Sequence, residues 1–418
     1  MKYRIAIPTL NSLEIFAHQL TDDKVLLYAP FANTVVESCH DEILDLEQKA
    51  FNNIYSEELA LLSAKEETLY RTSKPENITE LSVLINQRCN FSCAYCYSAD
   101  GRDNKEMSPE QLTSIIDWFV DSRRGTELDI IFSGGGDPIL SFDLLRQGIE
   151  YASNKAFPKG IQLNFGIVTN GSTITDEQLD FIEKYKINLV VSFDIIEEVH
   201  NKQRSHYDVV SATIDRLCCR NMPFGIRSTI TPLNVNRQEE MVNELHQRFP
   251  LVKSAAFEAV LNKDLFATAR ELELFYRDFS NGLFAAQQLG NSLGINIGNT
   301  IVNNIDTCKE RACLGKLVAT PYGHITACSR ISSPKEKYFD HFLYGKIDSS
   351  GIRINKVAID RILSDDVNTH SECSSCIAKW HCSGGCLLAR HSLPDEYFYC
   401  YCQFMKQMVV RKFMQMMD

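Results

Sequence analysis

Between residues 79 and 295, short runs of β-branched and apolar residues alternate with longer stretches whose apolar positions recur at helical spacing. LSVLIN (81–86) is followed by SPEQLTSIIDWFV, LDIIFSG (128–134) by SFDLLRQGIEYA, and LNFGIVTNG (163–171) by TDEQLDFIEKY. The rhythm continues through NLVVSFD (188–194), FGIRSTI (224–230) and SAAFEAVL (254–261), each with a helix-like stretch behind it. Apolar runs of strand length joined in this way predict parallel strands with helical crossovers. Ser108 with Gln111, and Thr175 with Gln178, have the spacing of capping boxes and mark two helix starts. The β/α repeats predict an α/β fold, and right-handed crossovers curl such a sheet toward a partial (β/α)6 barrel of TIM-like kind. Reactive side chains in such barrels gather at the C-terminal ends of the strands.

Composition narrows the function classes. With 418 residues and 44% hydrophobic content, the chain is a globular protein able to bury more than one core. A formal net charge of -11, with no basic patch, argues against a nucleic-acid partner. The opening MKYRIAIPTLNS lacks the apolar core of a secretory signal, and no later run reaches membrane-spanning length, so a cytoplasmic location with no membrane partner is expected. In a reducing compartment, fifteen cysteines read as metal ligands before disulfides. They fall in three groups, Cys89 to Cys96, Cys308 to Cys328 and Cys373 to Cys402, with Cys39, Cys218 and Cys219 apart. Cys218 and Cys219 lie within an apolar helical pattern, where a thiol serves as a small buried hydrophobe.

CNFSCAYC (89–96) follows the first strand, at the barrel's reactive end. It holds Cys89, Cys93 and Cys96 with no fourth cysteine or histidine nearby to complete a tetrahedral zinc site. A [4Fe–4S] cluster normally takes four cysteines, so three leave one iron open to another ligand. The CxxxCxxC spacing, with Tyr95 before the last cysteine, resembles the signature of the radical S-adenosylmethionine (radical SAM) enzymes. That resemblance implies a cluster whose open iron chelates SAM and whose electron cleaves it to a 5′-deoxyadenosyl radical. Gly135, Gly136, Asp137 and Pro138 are similar to the family's GGEP motif, with aspartate in place of glutamate and an extra Gly134 in front. Thr169 and Asn170 end the third strand, and Ser192 and Asp194 the fourth, at places the family uses for contacts to SAM. Arg204 and Arg227 are candidate carboxylate partners, since a guanidinium fork holds a carboxylate through two hydrogen bonds; surface ion pairs are the other reading of each. No catalytic side chain is assigned.

Cys313, Gly323, Cys328, Cys373, Cys376, Cys382 and Cys386, with a last cysteine at 400 or 402, resemble the SPASM extension of radical SAM enzymes. The resemblance implies two auxiliary [4Fe–4S] clusters, one on Cys308, Cys313, Cys328 and Cys386, the other on Cys373, Cys376, Cys382 and Cys402 or Cys400. Cys402 is favoured because CQFMK resembles the family's closing cysteine and helix, and a zinc ribbon is the other reading of the CxxC pairs. Residues 1–78 read as short strands and a helix, similar to the openings of enzymes that modify ribosomally made peptides, where this region helps hold a leader peptide; a structural cover is the alternative. The expected division is 1–78, a radical SAM core at 79–295 and a SPASM domain at 296–418. The implied function is a peptide maturase that abstracts hydrogen from a precursor peptide and forms a crosslink, a cyclophane or thioether, with a flavodoxin or ferredoxin as reductant. One alternative is anaerobic sulfatase maturation, where an aspartate follows the cysteine matching Cys328; Ser329 stands there in this chain. A non-catalytic iron-sulfur electron-transfer protein is the other.

Overall fold

VLLYA at residues 25–29 is apolar throughout, and in a computed structural model of the chain both faces of this strand are buried. The structure describes residues 2–6, 14–52, 57, 61–62, 69–70, 77–122, 125–305, 307–313, 316–348 and 351–417. These fall into two compact units, one of Met1–Thr72, Thr300–Leu314 and Asp365–Asp418, the other of Ser73–Asn299 and Gly315–Ser364.

In the first unit β1 (Lys2–Ala6), β2 (Glu14–Gln19), β3 (Val25–Ala29) and β4 (Thr34–Ser38) form an antiparallel meander. Side chains alternate faces along a strand. Val25, Leu27 and Ala29 of β3 therefore pack with Ile43 and Leu46 of the helix His40–Phe51. Leu26 and Tyr28, with Phe16 of β2, turn the other way and join Ile305, Cys308, Val367, Trp380, Val409 and Phe413 in one core. β5 (Leu69–Tyr70) also pairs with β13 (Cys308–Lys309). The N-terminal strands and the cysteine-rich chain thus share a core. This corrects the expected separation of residues 1–78 from the C-terminal domain.

The second unit carries the expected barrel. β6 (Glu80–Val83), β7 (Glu127–Phe132), β8 (Gln162–Thr169), β9 (Asn188–Ser192), β10 (Phe224–Ile230) and β11 (Ser254–Ala259) are parallel neighbours in chain order, and β12 (Asn296–Gly298) adds to β11. Both capping boxes are present: Gln111 N donates to Ser108 Oγ at 3.2 Å and Ser108 N to Gln111 Oε1 at 3.0 Å, with the same exchange between Thr175 and Gln178. Beyond β6 the sheet continues through β14 (Leu317–Ala319), parallel, and then β15 (His324–Thr326), β16 (Leu343–Asp348) and β17 (Gly351–Ile354), antiparallel. The strands β14 to β17, expected in the SPASM domain, therefore continue the barrel sheet, and Gly315–Ser364 falls in the barrel's unit. Gly323 occupies the β14–β15 turn at φ +71°, where a Cβ would come within 2.8 Å of the Ile347 carbonyl oxygen. Cys219 is exposed and Cys218 half-buried, against expectation, because the helix Tyr207–Cys219 buries its Val210, Ile214 and Leu217 face and the two cysteines are turned about 100° and 200° from Leu217. Among the described residues no helix is long and apolar enough to cross a membrane.

Candidate metal and cofactor site

The chain leaving β6 is pinned to the glycine turn that follows β7. Gly136 N donates to Asn86 O at 2.9 Å and Asp137 N to Arg88 O at 2.7 Å, while Asn86 Nδ2 returns bonds to Asp137 O and Ser141 Oγ. Only glycine permits this approach: a Cβ on Gly136 would lie 2.0 Å from the Arg88 carbonyl oxygen. Gly134 and Gly135 turn the chain at φ +85° and +66°, values that disfavour any side chain. The extra glycine is thus part of the turn itself.

Inside the loop, each cysteine sulfur has its own N–H donor. Asn170 Nδ2 lies 3.8 Å from Cys89 Sγ, Arg204 Nη1 3.8 Å from Cys93 Sγ and Arg102 Nη2 3.0 Å from Cys96 Sγ. Burial pushes the Cys93 thiol up to about 11, against the pull of Arg204, and the charges of Cys96 and Cys89 add to the rise. Cys89 is raised too, first by burial, and thiols held up in this way keep their protons until a metal displaces them. Three grouped sulfurs facing cationic and amide donors suit an anionic iron-sulfur cluster, whose sulfurs need such support. No three cysteine, histidine or acidic side chains among the described residues are set to hold a single metal ion.

The strand ends are tied together by two buried aspartates. Asp137 caps the short helical turn Pro138–Ser141 and accepts from Ile139 N at 3.0 Å, Asn170 N at 2.7 Å and Thr169 Oγ1 at 2.9 Å. Burial raises its carboxyl, and those three donors oppose the rise. Asp194, fully buried after β9, accepts from Tyr95 Oη at 2.7 Å, Gln203 Nε2 and Arg204 Nε at 3.2 Å, and Thr229 N at 3.0 Å. Its carboxylate is therefore engaged by the protein's own groups, and it orients Tyr95 and Arg204 beside Cys93. Arg204 also stacks on Tyr95, 5.3 Å from the ring centre. His200 accepts from Asp194 N at 3.2 Å and faces Ser205 O at 3.1 Å; burial lowers it to about 4, so it is neutral and donates from Nε2.

The two candidate arginines part company here. Arg204 is buried in the Asp194 pair, whereas Arg227 is half exposed and lies 3.8 Å from Glu258. Ser192 pairs with Arg227 across β9 and β10 and is half-buried. The sequence reading missed Asn86, Gln203, His200 and Arg102. QR at 203–204 beside a candidate arginine was a weak signal for Gln203, and nothing in the sequence marked Arg102.

A second cysteine group lies in the first unit. Cys382 is pushed well above the ordinary thiol value, first by burial and then by the charges of Cys402, Cys376 and Cys373. Cys402 is raised to about 11, by burial and then by Cys373, with Arg390 opposing. Cys373, Cys376 and Cys402 thus lie near enough to Cys382 for their charges to act on it. Cys400 precedes Cys402 by two residues on the helix Asp395–Met417, which turns it about 200° away, and it is buried. Cys308 is buried 3.9 Å from Tyr28 Oη. Cys313 lines a small cavity with Arg311, Ser383, Gly384, Gly385 and Arg390, and Cys386 immediately precedes the helix Leu387–Ser392. Cys328 follows β15 in the other unit.

A model of the radical SAM superfamily matches residues 83–245. Over that stretch the chain is similar to the radical SAM superfamily. The superfamily implies SAM and one [4Fe–4S] cluster. An uncharacterized protein of Methanocaldococcus jannaschii is 28% identical over 176 residues, 41% of this chain and 59% of that protein, so the match spans less than two thirds of it. The radical SAM cyclopropyl synthase TigE of Paramaledivibacter caminithermalis is 23% identical, covering 86% of this chain and 79% of that one. A cysteine-type anaerobic sulfatase-maturating enzyme of Clostridium novyi is 23% identical, covering 73% and 87%. Among solved structures, anSMEcpe with bound AdoMet and Cp18Cys peptide superimposes with a TM-score of 0.61 at 16% identity, covering 81% of this chain and 98% of that one. Streptococcus suis SuiB bound to precursor peptide SuiA gives 0.54 at 13%, covering 95% and 98%. At such identities the structures show a shared fold.

Proposed function

We propose that this protein is a radical SAM peptide maturase in which Cys89, Cys93 and Cys96 hold the SAM-binding cluster. The observation that carries the reading is the grouping of three thiols in the loop after β6, each with its own N–H donor. The cluster and SAM together supply a carbon radical able to take a hydrogen atom from an unactivated position. The chain's own part is positioning: Asp194 holds Tyr95 and Arg204 against Cys93, Asp137 locks the β7 and β8 ends together, and the glycine turn keeps backbone close to the loop. Binding energy spent on such orientation is what selects one hydrogen among many. Cys373, Cys376, Cys382 and Cys402 are assigned to one auxiliary cluster, and the SPASM resemblance implies a second. An auxiliary cluster gives the second electron of a crosslinking oxidation somewhere to go, with a flavodoxin or ferredoxin as the outside reductant.

Anaerobically reconstituted protein should then hold about twelve irons, four per site. Cys402→Ala should lower that content by up to one cluster and Cys400→Ala should leave it unchanged, measured by iron analysis. The function itself is tested by co-expression with short peptides encoded beside the gene. A peptide that loses hydrogen and gains an internal crosslink, seen by tandem mass spectrometry, supports the maturase. Sulfatase maturation is the second reading, favoured by the similarity to the Clostridium novyi enzyme. A sulfatase-derived peptide converted to formylglycine, with neighbouring peptides untouched, would establish it instead. Ser329 in the place of that group's aspartate weighs against it. A leader-binding role for the N-terminal sheet belongs to the same proposal, and exposed positions such as Asp22 and Asp23 are the ones to vary, since its buried faces are core.

A further inference from the structure

The donors to the three loop sulfurs differ in charge. Cys89 meets the neutral amide of Asn170, and Cys93 meets Arg204, whose charge is shared with Asp194. Cys96 meets Arg102, at the shortest of the three distances, and Arg102 forms no ion pair among the described residues. The same guanidinium uses Nη1 to donate to Phe91 O at 2.6 Å. Phe91 lies between Cys89 and Cys93, so a single planar fork ties the first half of the loop to the last cysteine. Asp103, the adjacent carboxylate, is taken up by Tyr322 Oη and, at 3.0 Å, by Lys335 Nζ, which leaves the Arg102 charge directed at the sulfur.

We infer that Arg102 is a redox-positioning residue: through its N–H···Sγ bond to Cys96 it raises the reduction potential of the cluster held by Cys89, Cys93 and Cys96. This rests on the cluster assignment above. Reduction adds a negative charge that spreads onto the sulfurs, and a hydrogen bond from a cation stabilises the more negative state more than the less negative one. An undiluted positive charge on one ligand thus brings the cluster within reach of a protein electron donor. Because the fork also fixes Phe91 O, the charge is held in place by the loop it supports.

The test is the midpoint potential of the reconstituted full chain, followed by electron paramagnetic resonance during a reductive titration. The signal that changes when SAM is added identifies this cluster among the others. Arg102→Gln should move its midpoint to a more negative value at unchanged iron content, and Arg102→Lys, which keeps the charge and gives up the fork, should restore most of the shift. A full-iron Arg102→Gln protein with the wild-type midpoint overturns the inference. If glutamine empties the site, the lysine variant decides: a retained cluster near the wild-type midpoint supports the inference, and loss of the cluster there too shows that Arg102 only folds the loop. A wild-type protein with no SAM-sensitive signal overturns the cluster assignment itself, a result distinct from an unshifted midpoint.

Discussion

Deleting residues 1–70 should abolish the Cys373–Cys402 cluster and leave the cysteine-rich unit unfolded. Phe16, Leu26 and Tyr28 are fully buried against Trp380, Val409 and Phe413. Full burial of such a side chain is worth about 1.5–3 kcal/mol, so the loss of three removes roughly 5–9 kcal/mol, comparable with the whole stability of a domain. Polar contacts add to this. Glu14 accepts from Lys379 Nζ at 2.7 Å and from Trp380 Nε1 at 2.7 Å, and both members of the ion pair are almost completely buried. Removing one partner of a buried pair costs about 3–5 kcal/mol, because the other charge stays behind without compensation. Tyr28 Oη also lies 2.6 Å from His381 Nε2, next to the ligand candidate Cys382. Iron analysis and circular dichroism of the truncated chain check the point. Iron should fall toward the content of the barrel cluster alone, and a truncated chain with full iron and native spectrum would show that the N-terminal sheet is dispensable to this core.

That expectation could not be formed from the sequence, and the reason is physical. The barrel strands were legible because each is a dense apolar run followed by a helix-like stretch, two of which carry their own start signal, as at Thr175 and Gln178. Local periodicity carries that information. VLLYA gives no such guidance: a strand apolar at every position says that both faces are covered, but not by what, and half its cover lies more than 270 residues away. The strands β14 and β15 are three residues each, too short to show alternation, so their return to the barrel sheet was hidden inside a run read from its cysteines. Spacing likewise located the three loop cysteines and the glycine turn, and it left Cys400 and Cys402 as alternatives. Asp137 and Asp194 were placed at the right strand ends, yet their partners were not legible. Both are oriented through hydrogen bonds that form only when neighbouring strands meet. Arg102, in an irregular turn, has no periodic context, and its contact with Cys96 exists only in the folded loop.

The largest effect belongs to the loop cysteines. Each of the three sulfurs has a separate supporting donor, and the group has no fourth cysteine to substitute for one that is lost. Replacing Cys89, Cys93 and Cys96 together with alanine should therefore eliminate the SAM-binding cluster, while the four thiols of the other unit, which share no residue with it, keep their iron. The glycine turn and the Asp137 and Asp194 networks use backbone and side-chain groups outside the three thiols, so the barrel should stay folded.

Production of 5′-deoxyadenosine from SAM by the anaerobically reconstituted, chemically reduced protein tests the central claim most directly. Chromatography with mass detection should find it with the native chain and find none with the triple alanine variant. Equal amounts from both proteins, or none from a native chain carrying its full iron, would contradict the account.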